Sequence, residues 1–306
     1  MAFDPYDWSK TKLEEFIKKI DKIKGDGLTT SPGDIWSIKK FFILDYCIGG
    51  FVPIFRKYFD KWYYIDTHCG TGLIGFKEKE LQSERFPGSP LVSAFKAQSN
   101  NFSKYYFFDE QQETVDALKK RLDKLKAETS ACSYELDTRD FSKTVEFVKQ
   151  FDGWNGFFIV IDPIGFKEIK WELMQSLLKI KTADIFFTFM THVIARHRSN
   201  VEDGNTFEES LSQFYGNKKW ITYSDGSNLM ELYKRQIGEF REYVYDIPVY
   251  QLGKQITYHI IIATNSRGAG NIVESARKLT KVKTEMIDGG LKVVTGKRDD
   301  LTKWFS

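Results

Sequence analysis

The sequence has few cysteines, no long apolar run and no signal-peptide pattern, and each absence excludes a class of protein. Cys47, Cys69 and Cys132 are odd in number and far apart, which favours reduced thiols over a disulfide framework, and they lack metal-ligand spacing. No apolar run approaches the roughly 20 residues that span a bilayer, so no membrane partner is expected. The N-terminus lacks the basic-then-apolar pattern of a secreted protein. The sequence therefore predicts a soluble protein with the cytoplasm as its default location.

The charge balance and the length set the class of the fold. The chain has 306 residues, 42% of them hydrophobic, and a formal net charge of only +3, which permits a nucleic-acid partner without requiring one. This length suits one large α/β domain over residues 1–306. Residues 1–60 are predicted to form a helical cover, with one helix over 9–24 and a second from Ser31-Pro-Gly-Asp34 to about Cys47.

One stretch, Trp62 to Gly75, has the pattern of a buried strand that ends at a ligand. Strand-favouring residues run into Asp66, and a loop of small residues with His68, Gly70 and Gly72 follows. Glycine allows the backbone to approach a nucleotide closely, and a carboxylate at the strand tip can hold an amino or hydroxyl group. The stretch therefore predicts a loop for a nucleoside-containing cofactor.

Three interpretations of this loop are open. Gly70 to Gly75 matches the dinucleotide fingerprint of an NAD-dependent oxidoreductase, but that fingerprint requires a helix at once and an acid about 20 residues later. The next acids at a strand end, Asp109 and Glu110, lie more than thirty residues beyond Gly75. An acid shortly before the first glycine suits S-adenosylmethionine better, because that cofactor has an amino group and no pyrophosphate. The third interpretation is a tight turn that binds nothing.

Three later positions complete the predicted cofactor site. Ser89, followed by Pro90, is predicted to cap a helix whose free N–H groups would hold the cofactor carboxylate or a substrate phosphate. Asp109 or Glu110, after the second strand, is expected at the ribose. Asp140, after the third strand, is expected at the adenine amino group. Each position has an alternative as an ordinary helix cap or first-turn residue.

The stretch from Gly156 to Phe166 is the second strong pattern. Five apolar residues in a row predict a central parallel strand, and Asp162-Pro163 ends it at the same sheet edge as Asp66. Asp162 and the backbone carbonyl of Pro163 would accept hydrogen bonds from a flat amine, while Phe166 would stack on the base. The alternative is a plain turn after a strand.

The last third of the chain supplies candidates for substrate binding. Arg196 and Arg198 follow the fifth predicted strand and are expected to hold substrate phosphates. His192 and His197 are five residues apart, the wrong spacing for one helical face, so no metal site is predicted. Three more segments are predicted: a helical insertion over residues 199–245, an antiparallel strand pair of Tyr243–Tyr250 and Ile256–Thr264, and a C-terminal tail over 283–306 of unknown role.

Several of these stretches together resemble a known class of enzymes. Tyr64 to Gly72, Phe86 to Leu91 and Val160 to Pro163 resemble, in order and spacing, the S-adenosylmethionine-dependent methyltransferases that modify an adenine amine in large-subunit ribosomal RNA. A fuller resemblance, which includes Trp8-Ser9 and Tyr258 to Asn265, is to the three-Cys-motif partner protein (TcmP) family. It implies a doubly wound, Rossmann-like methyltransferase sheet, S-adenosylmethionine as cofactor, and a separate, radical-SAM-like three-cysteine protein as partner.

The chain departs from the methyltransferase pattern at two places. Such enzymes usually carry glycine at the position of His68, and the adenine-specific ones have Asp-Pro-Pro-Tyr where this chain has Asp162-Pro-Ile-Gly-Phe166. The expected function is methyl transfer to a nucleobase amine in RNA or DNA. The alternatives are a non-catalytic, cofactor-binding partner of the three-cysteine protein and an NAD-dependent oxidoreductase.

Overall fold

Helices and strands alternate along most of the chain in a computed structural model that describes residues 3–201, 206–251 and 256–294. The strands are β1 (Ser31–Gly33), β2 (Lys61–Asp66), β3 (Leu73–Phe76), β4 (Arg85–Pro87), β5 (Lys104–Asp109), β6 (Tyr134–Thr138), β7 (Asn155–Ile161), β8 (Ala183–Phe189), β9 (Tyr243–Tyr250) and β10 (Ile256–Thr264). The helices are α1 (Pro5–Lys19), α2 (Ile38–Tyr58), α3 (Ser89–Lys96), α4 (Gln112–Lys124), α5 (Phe141–Lys149), α6 (Trp171–Leu178), α7 (Thr191–Ser199), α8 (Thr206–Tyr215), α9 (Gly226–Gly238), α10 (Ala269–Arg277) and α11 (Thr284–Val294). Short 3-10 turns lie at Ile35–Ser37, Lys79–Leu81, Lys219–Thr222 and Lys278–Lys281.

The main sheet is a doubly wound, Rossmann-like sheet, as predicted for a methyltransferase. Within the described ranges it has seven strands in the order β6-β5-β2-β7-β8-β10-β9. The first five are parallel, and β10 pairs antiparallel with both β8 and β9. The strand order reverses between β2 and β7, and in sheets of this kind a ligand binds outside the carboxyl ends of the strands at that point. The antiparallel closing pair has the bounds that the sequence predicts.

The central strands are apolar because helices cover both faces of the sheet. Every residue of β7 and β8 is buried, as expected for parallel strands at the centre of a doubly wound sheet. Successive side chains alternate between two hydrophobic cores: Tyr64 lies in the core beneath α1, α2, α3 and α10, and Ile65 in the core beneath α5, α6, α8 and α9.

The N-terminal cover differs from the prediction in its second helix. Ser31-Pro-Gly33 is not a helix start but the strand β1, which pairs with β3 in a small separate sheet. The helix α2 continues past Cys47 to Tyr58, through Pro53. Burial of its apolar side chains outweighs the weak helix propensity of its glycines and proline. At Gly50, a Cβ would come within 2.7 Å of Ile272 of α10, so the glycine allows two helices to approach closely.

The predicted insertion and tail contribute to the two cores. Trp220 is fully buried in the core that α8 and α9 help to form, so much of the segment 199–245 is an integral layer of the fold. Of the tail 283–306, α11 packs on the other core through Ile287 and Leu291, and residues 295–306 lie outside the described residues. None of the described helices is long and apolar enough to cross a membrane.

Candidate functional site

Asp66 and Asp162 lie together at the point where the strand order reverses. Asp66 ends β2 and pairs in register with Val160 of β7, two residues before Asp162. Thr67 ties the two strand ends, because its amide and its hydroxyl both donate to the carbonyl of Val160, at 3.0 and 3.1 Å. The prediction that these carboxylates share one sheet edge is confirmed.

Asp66 is a buried carboxylate without a full set of partners. It is fully buried, and the Tyr64 hydroxyl donates to its Oδ2 at 3.4 Å. Its Oδ1 is buried and accepts no hydrogen bond from the described residues. Burial raises the pKa of Asp66 to about 7, the side chain of Ser89 lowers it and the nearby charge of Asp162 raises it. A buried acceptor without a donor is costly, and a donor from a ligand would remove that cost.

The loop after Asp66 requires glycine at two positions for reasons of backbone conformation and packing. Gly70 has φ +62° and Gly72 has φ +84°, in the left-handed region that side chains other than glycine rarely adopt. A Cβ on Gly70 would lie 2.6 Å from the Ser31 hydroxyl, and one on Gly72 would lie 2.8 Å from Leu118. The space beside each glycine is filled by a neighbouring side chain of the protein itself.

Hydrogen bonds from distant segments fix this loop in place. The carboxylate of Asp109, at the end of β5, accepts from the Gly70 amide at 3.1 Å. Thr71 and Ser31 exchange two bonds, each from a backbone amide to the other's hydroxyl, at 3.0 and 3.1 Å. The fully buried Arg121 donates to the Thr71 carbonyl at 2.8 Å and forms two bonds to Asp26. The loop conformation is therefore set before any ligand binds.

The chain that follows the glycines excludes the geometry of a dinucleotide site. The fingerprint requires a helix whose N-terminus faces the pyrophosphate directly after the glycines. Here Leu73–Phe76 is the strand β3, and the next α-helix, α3, begins only at Ser89. The oxidoreductase interpretation of Gly70 to Gly75 therefore lacks its structural basis.

The predicted capping role of Ser89 is wrong. The N-cap of α3 is Gly88, and Ser89 is the first helical residue, with Pro90 behind it. Ser89 is buried, and its side chain lies close enough to Asp66 to lower the pKa of that carboxyl. The position of Ser89 near the tip of β2 agrees with the prediction. Ser89 does not cap the helix, because the extended residue Gly88 takes the N-cap position.

The residues predicted to contact the nucleoside differ in how far their carboxylate oxygens are already engaged by the protein. Asp109 uses one oxygen for the Gly70 amide and the other for the Gln111 amide at 3.1 Å, whereas Glu110 beside it is exposed. Asp140 is the N-cap of α5 and accepts from the Lys143 amide at 2.8 Å. The helix-cap alternative is therefore realised at Asp140. Its other oxygen lies 3.7 Å from the ammonium of Lys143, and its adenine contact stays a prediction.

Asp162 forms an ion pair that sequence reasoning missed. The ammonium of Lys40, near the start of α2, lies 2.6 Å from Asp162 Oδ2. It also lies 5.8 Å from the ring centre of Tyr258 on β10. The Tyr258 hydroxyl is buried and has no hydrogen-bond partner among the described residues, and burial, with the charge of Asp162, raises its pKa well above the usual value. The sequence feature that indicates a role for Lys40 is the pair Lys39-Lys40 within the otherwise apolar stretch from Ile38 to Leu44.

Phe166 does not take the predicted stacking position. Its side chain is only 2% exposed, and its ring packs edge-on against His197 at 4.9 Å and Phe214 at 5.3 Å, in the second core. The apolar residue that the loop presents to solvent is Ile164, which is 81% exposed. Pro163, before Ile164, is buried, which agrees with a rigid turn after β7.

The two candidate arginines separate in role. Arg198 donates to the carbonyls of Ile221 and Tyr223, at 2.8 and 3.0 Å, and lies over the Trp220 ring. These contacts hold a turn of the protein, and the binding of a substrate phosphate by Arg198 stays a prediction. Arg196, on the same helix, is exposed and stays a candidate.

His68 lies between the two loops. Its Nδ1 is 2.7 Å from the Thr67 hydroxyl, its Nε2 is 3.4 Å from a carboxylate oxygen of Glu168, and its ring stacks on Phe141. Glu168 follows the Asp-Pro turn, so this histidine connects the loop after β2 with the segment after β7. In the described parts of the chain, no group of His, Cys, Asp and Glu side chains forms a metal site.

Comparison with known proteins supports the fold. No known family model matches the chain, and no curated protein matches its sequence. The crystal structure of protein LPL1258 from Legionella pneumophila, described by the family model DUF519, is similar over 82% of this chain and 92% of that one, with 15% identity and a TM-score of 0.52.

Two structures of complexes with SAH or S-adenosyl-L-methionine match less well. The plantazolicin methyltransferase BpumL in complex with SAH shares 12% identity over 86% of this chain and 94% of its own, with a TM-score of 0.39. Trm1 from Pyrococcus horikoshii with S-adenosyl-L-methionine shares 9% identity over 77% of this chain and 57% of its own, with a TM-score of 0.43. The likeness to LPL1258 extends to the fold alone, and the two lower TM-scores support no conclusion about this chain.

Proposed function

We propose that the protein binds S-adenosylmethionine at the reversal point of the sheet and transfers its methyl group to an amine of a nucleobase in RNA or DNA. The observation that carries this proposal is the unpartnered, buried Oδ1 of Asp66 at the tip of β2. The ligand group that best completes it is an ammonium, and S-adenosylmethionine has one in its methionine part. The cofactor, when bound, supplies an electrophilic methyl group.

The proposed cofactor contacts follow from the loop geometry. Asp66 would accept from the ammonium, and the fixed loop with Gly70 and Gly72 would line the methionine half. Glu110, exposed at the end of β5, is the better candidate for the ribose, because both oxygens of Asp109 already hold backbone amides. Asp140 would accept from the adenine amino group through its Oδ2, the oxygen that lies 3.7 Å from the Lys143 ammonium.

Asp162 is proposed to position the substrate amine. Lys40 engages its Oδ2, and no hydrogen bond reaches its Oδ1 from the described residues, so that oxygen and the Pro163 carbonyl would both accept from the amine. An aryl amine reacts once its lone pair points at the methyl group, so orientation supplies much of the rate. The proton that leaves the amine would pass to Asp162 or to water.

Two further residues support a nucleobase substrate. Ile164 offers an exposed apolar surface next to Asp162, in place of the predicted Phe166 ring. The buried hydroxyl of Tyr258 lies near the same carboxylate and has no hydrogen-bond partner within the described part of the chain, which suits recognition of a polar base edge. Arg196 is proposed to hold a flanking phosphate, with binding that weakens as salt rises.

The test is labelled-methyl transfer to total RNA and total DNA, comparing the native protein with Asp162→Asn. The native protein should label one of the two nucleic acids. The variant keeps the shape of the side chain, so it should retain S-adenosylmethionine binding. It replaces an accepting carboxylate oxygen by a donating amide group, so it should lose transfer by at least about a hundredfold. Absence of label from both RNA and DNA with the native protein would contradict a nucleic-acid substrate.

The proposed association with a three-cysteine protein requires a separate arm. The transfer assay is repeated with that protein present, and pull-down measures the association itself. If the two proteins associate and no nucleic acid is labelled in either arm, the non-catalytic interpretation replaces the enzymatic one. The cofactor site around Asp66 would remain, because its calorimetric test does not depend on turnover.

A further inference from the structure

A cavity of about 320 Å³ lies close to the end of β9. Since β9 runs parallel to β8, its last residue, Tyr250, stands at the carboxyl edge of the sheet. The residues that line this cavity are Lys39, Tyr250, Gln251, Thr280, Lys281, Val282, Lys283, Thr284 and Glu285. Its volume is at the lower end of the range for small-ligand sites, about 300–1,000 Å³.

Lys39 is a buried cation that lines this cavity without a partner. It is only 4% exposed, and it makes no hydrogen bond or ion pair with the described residues. Burial lowers the pKa of Lys39, while the charge of Glu285 raises it. An ammonium at the end of a buried side chain is costly unless opposite charge lies near it, and Glu285 is the one carboxylate on the cavity wall. The arrangement therefore favours an additional anion in the cavity.

The N-terminus of α11 points to the same ligand independently. Thr284 begins this helix of 11 residues and is buried at the cavity wall. The amides of Met286 and Ile287 already donate to the Lys283 carbonyl, whereas the first two amides of a helix have no partner within it. Free amides and the helix dipole together favour an anion at this end.

The cavity wall carries more positive than negative charge. The wall carries the ammonium groups of Lys39, Lys281 and Lys283 against the single carboxylate of Glu285. Lysines at the N-terminus of a helix are unfavourable by themselves, because the dipole is positive there. An anion between them removes that repulsion.

We propose that this cavity is a phosphate-binding site, formed by Lys39, the free amides of Thr284 and Glu285, and the two exposed lysines Lys281 and Lys283. The site does not require methyl transfer. Its neighbour in the chain, Lys40, holds Asp162, so a nucleic-acid substrate with its base amine at Asp162 would have a backbone phosphate available for this cavity. The binding of a nucleic-acid phosphate in this cavity rests on the proposed function.

The experiment is a titration of the native protein with inorganic phosphate, followed by the backbone amide resonances of Thr284 and Glu285. Phosphate should shift both resonances downfield, and Lys39→Met should weaken the affinity at least about tenfold. Lys278→Met is the matched control, because it removes an exposed charge next to this segment and outside the cavity wall; it should change the affinity by less than about twofold.

Thermal unfolding gives a second measurement on the same proteins. Phosphate should raise the melting temperature of the native protein, because a ligand that binds only the folded state stabilises it, and it should leave that of Lys39→Met unchanged. If Lys39→Met does not fold, the double variant Lys281→Ser/Lys283→Ser replaces it. Both side chains are exposed, so the double variant should fold, and because both line the cavity it should show the same loss of phosphate affinity. Phosphate binding that is absent, or equal in native and variant proteins, would overturn the proposal.

Two further arms identify the source of the phosphate. A short single-stranded RNA and adenosine monophosphate are each titrated against the native protein and Lys39→Met. Binding of the RNA that depends on Lys39 assigns the site to a nucleic-acid backbone. Lys39-dependent binding of the monophosphate without the RNA assigns it to a small phosphorylated ligand, and this result keeps the phosphate site while separating it from the proposed substrate.

Discussion

The loops after β2 and β7 meet at one edge of the sheet, and they are built in opposite ways. The loop from Asp66 to Gly72 is held by Asp109, Ser31 and Arg121, which come from three distant segments. The loop from Asp162 to Phe166 presents Ile164 to solvent. A Cβ on its Gly165 would meet no atom within 4 Å.

The difference indicates a division of labour between the two loops. A loop whose backbone is fixed from several sides presents a constant surface to a cofactor of constant shape. A loop with open space around it can adjust to a larger substrate. Substitutions at and around the two loops should therefore differ in how strongly they change the free energy of unfolding.

The largest effect is expected from Arg121→Leu. The arginine is fully buried and joins Asp26 to the Thr71 carbonyl, so its removal leaves a carboxylate unpaired. Breaking a buried pair in this way costs about 3–5 kcal/mol, which urea unfolding measures. The exposed neighbour Lys120 provides the control, and Lys120→Leu should change stability by less than about 0.5 kcal/mol. Equal effects of the two substitutions would show that the loop is not held through Arg121.

A pair of glycine substitutions compares the two loops directly. Gly72→Ala places a side chain at φ +84° and 2.8 Å from Leu118, so it should destabilise the protein by about 1–3 kcal/mol. Gly165→Ala adds its methyl group to open space at an ordinary φ, and should change stability by less than about 0.5 kcal/mol. Similar losses at both positions would remove the contrast between a fixed and an open loop.

Asp66→Asn should stabilise the protein without ligand at high pH. The folded-state pKa of Asp66 is about 7, above the value of about 3.9 in an unfolded chain. The folded state therefore binds more protons between these values, and stability falls as pH rises from about 4 to 7. Asparagine lacks this penalty, so the variant should gain roughly 1–3 kcal/mol at pH 8 and nothing at pH 4.

Urea unfolding of the native protein and the variant across this range checks the sign. Asp184, whose pKa burial also raises to about 7, titrates in the same window in both proteins, so only their difference reports on Asp66. A variant that is less stable than the native protein at pH 8 would contradict the assignment of Asp66 as an uncompensated carboxylate.

The smallest effect on stability is expected from Ile164→Ser. The side chain is 81% exposed, so its replacement should change the free energy of unfolding by less than about 0.5 kcal/mol. It should nevertheless weaken binding of single-stranded nucleic acid several-fold, because the substitution removes an apolar contact with a base. Fluorescence anisotropy with a labelled oligonucleotide measures this, with Phe166 left unchanged. Unaltered binding would remove Ile164 from the substrate surface.

The sequence predicted the sheet well because its strands are local patterns. The apolar run of β7, the acid at the end of β2 and the bounds of β9 and β10 each follow from burial on one or both faces of a sheet. The start of α2 could not be predicted in the same way. Ser31-Pro-Gly33 looks like a helix start, but β1 forms by pairing with β3, about forty residues away.

The sequence predicted that Asp66 and Asp162 share one sheet edge, but it did not predict the partners of the site side chains, because those partners come from distant segments. Lys40 reaches Asp162 across 122 positions of the chain, and no local pattern specifies that pair. Phe166 has the spacing of a stacking ring, but Phe214 and His197 draw it into the core. Arg198 is likewise engaged by the turn at 219–223.

The most direct test of the central claim is calorimetric titration of S-adenosylmethionine, with NAD alongside, into the native protein and Asp66→Asn at pH 8. The account predicts that the native protein binds S-adenosylmethionine and not NAD, and that Asp66→Asn binds it about ten- to a hundredfold more weakly while being at least as stable. Equal affinity of the two proteins for S-adenosylmethionine, or binding of NAD alone, would contradict the claim that Asp66 holds the ammonium of the methyl donor.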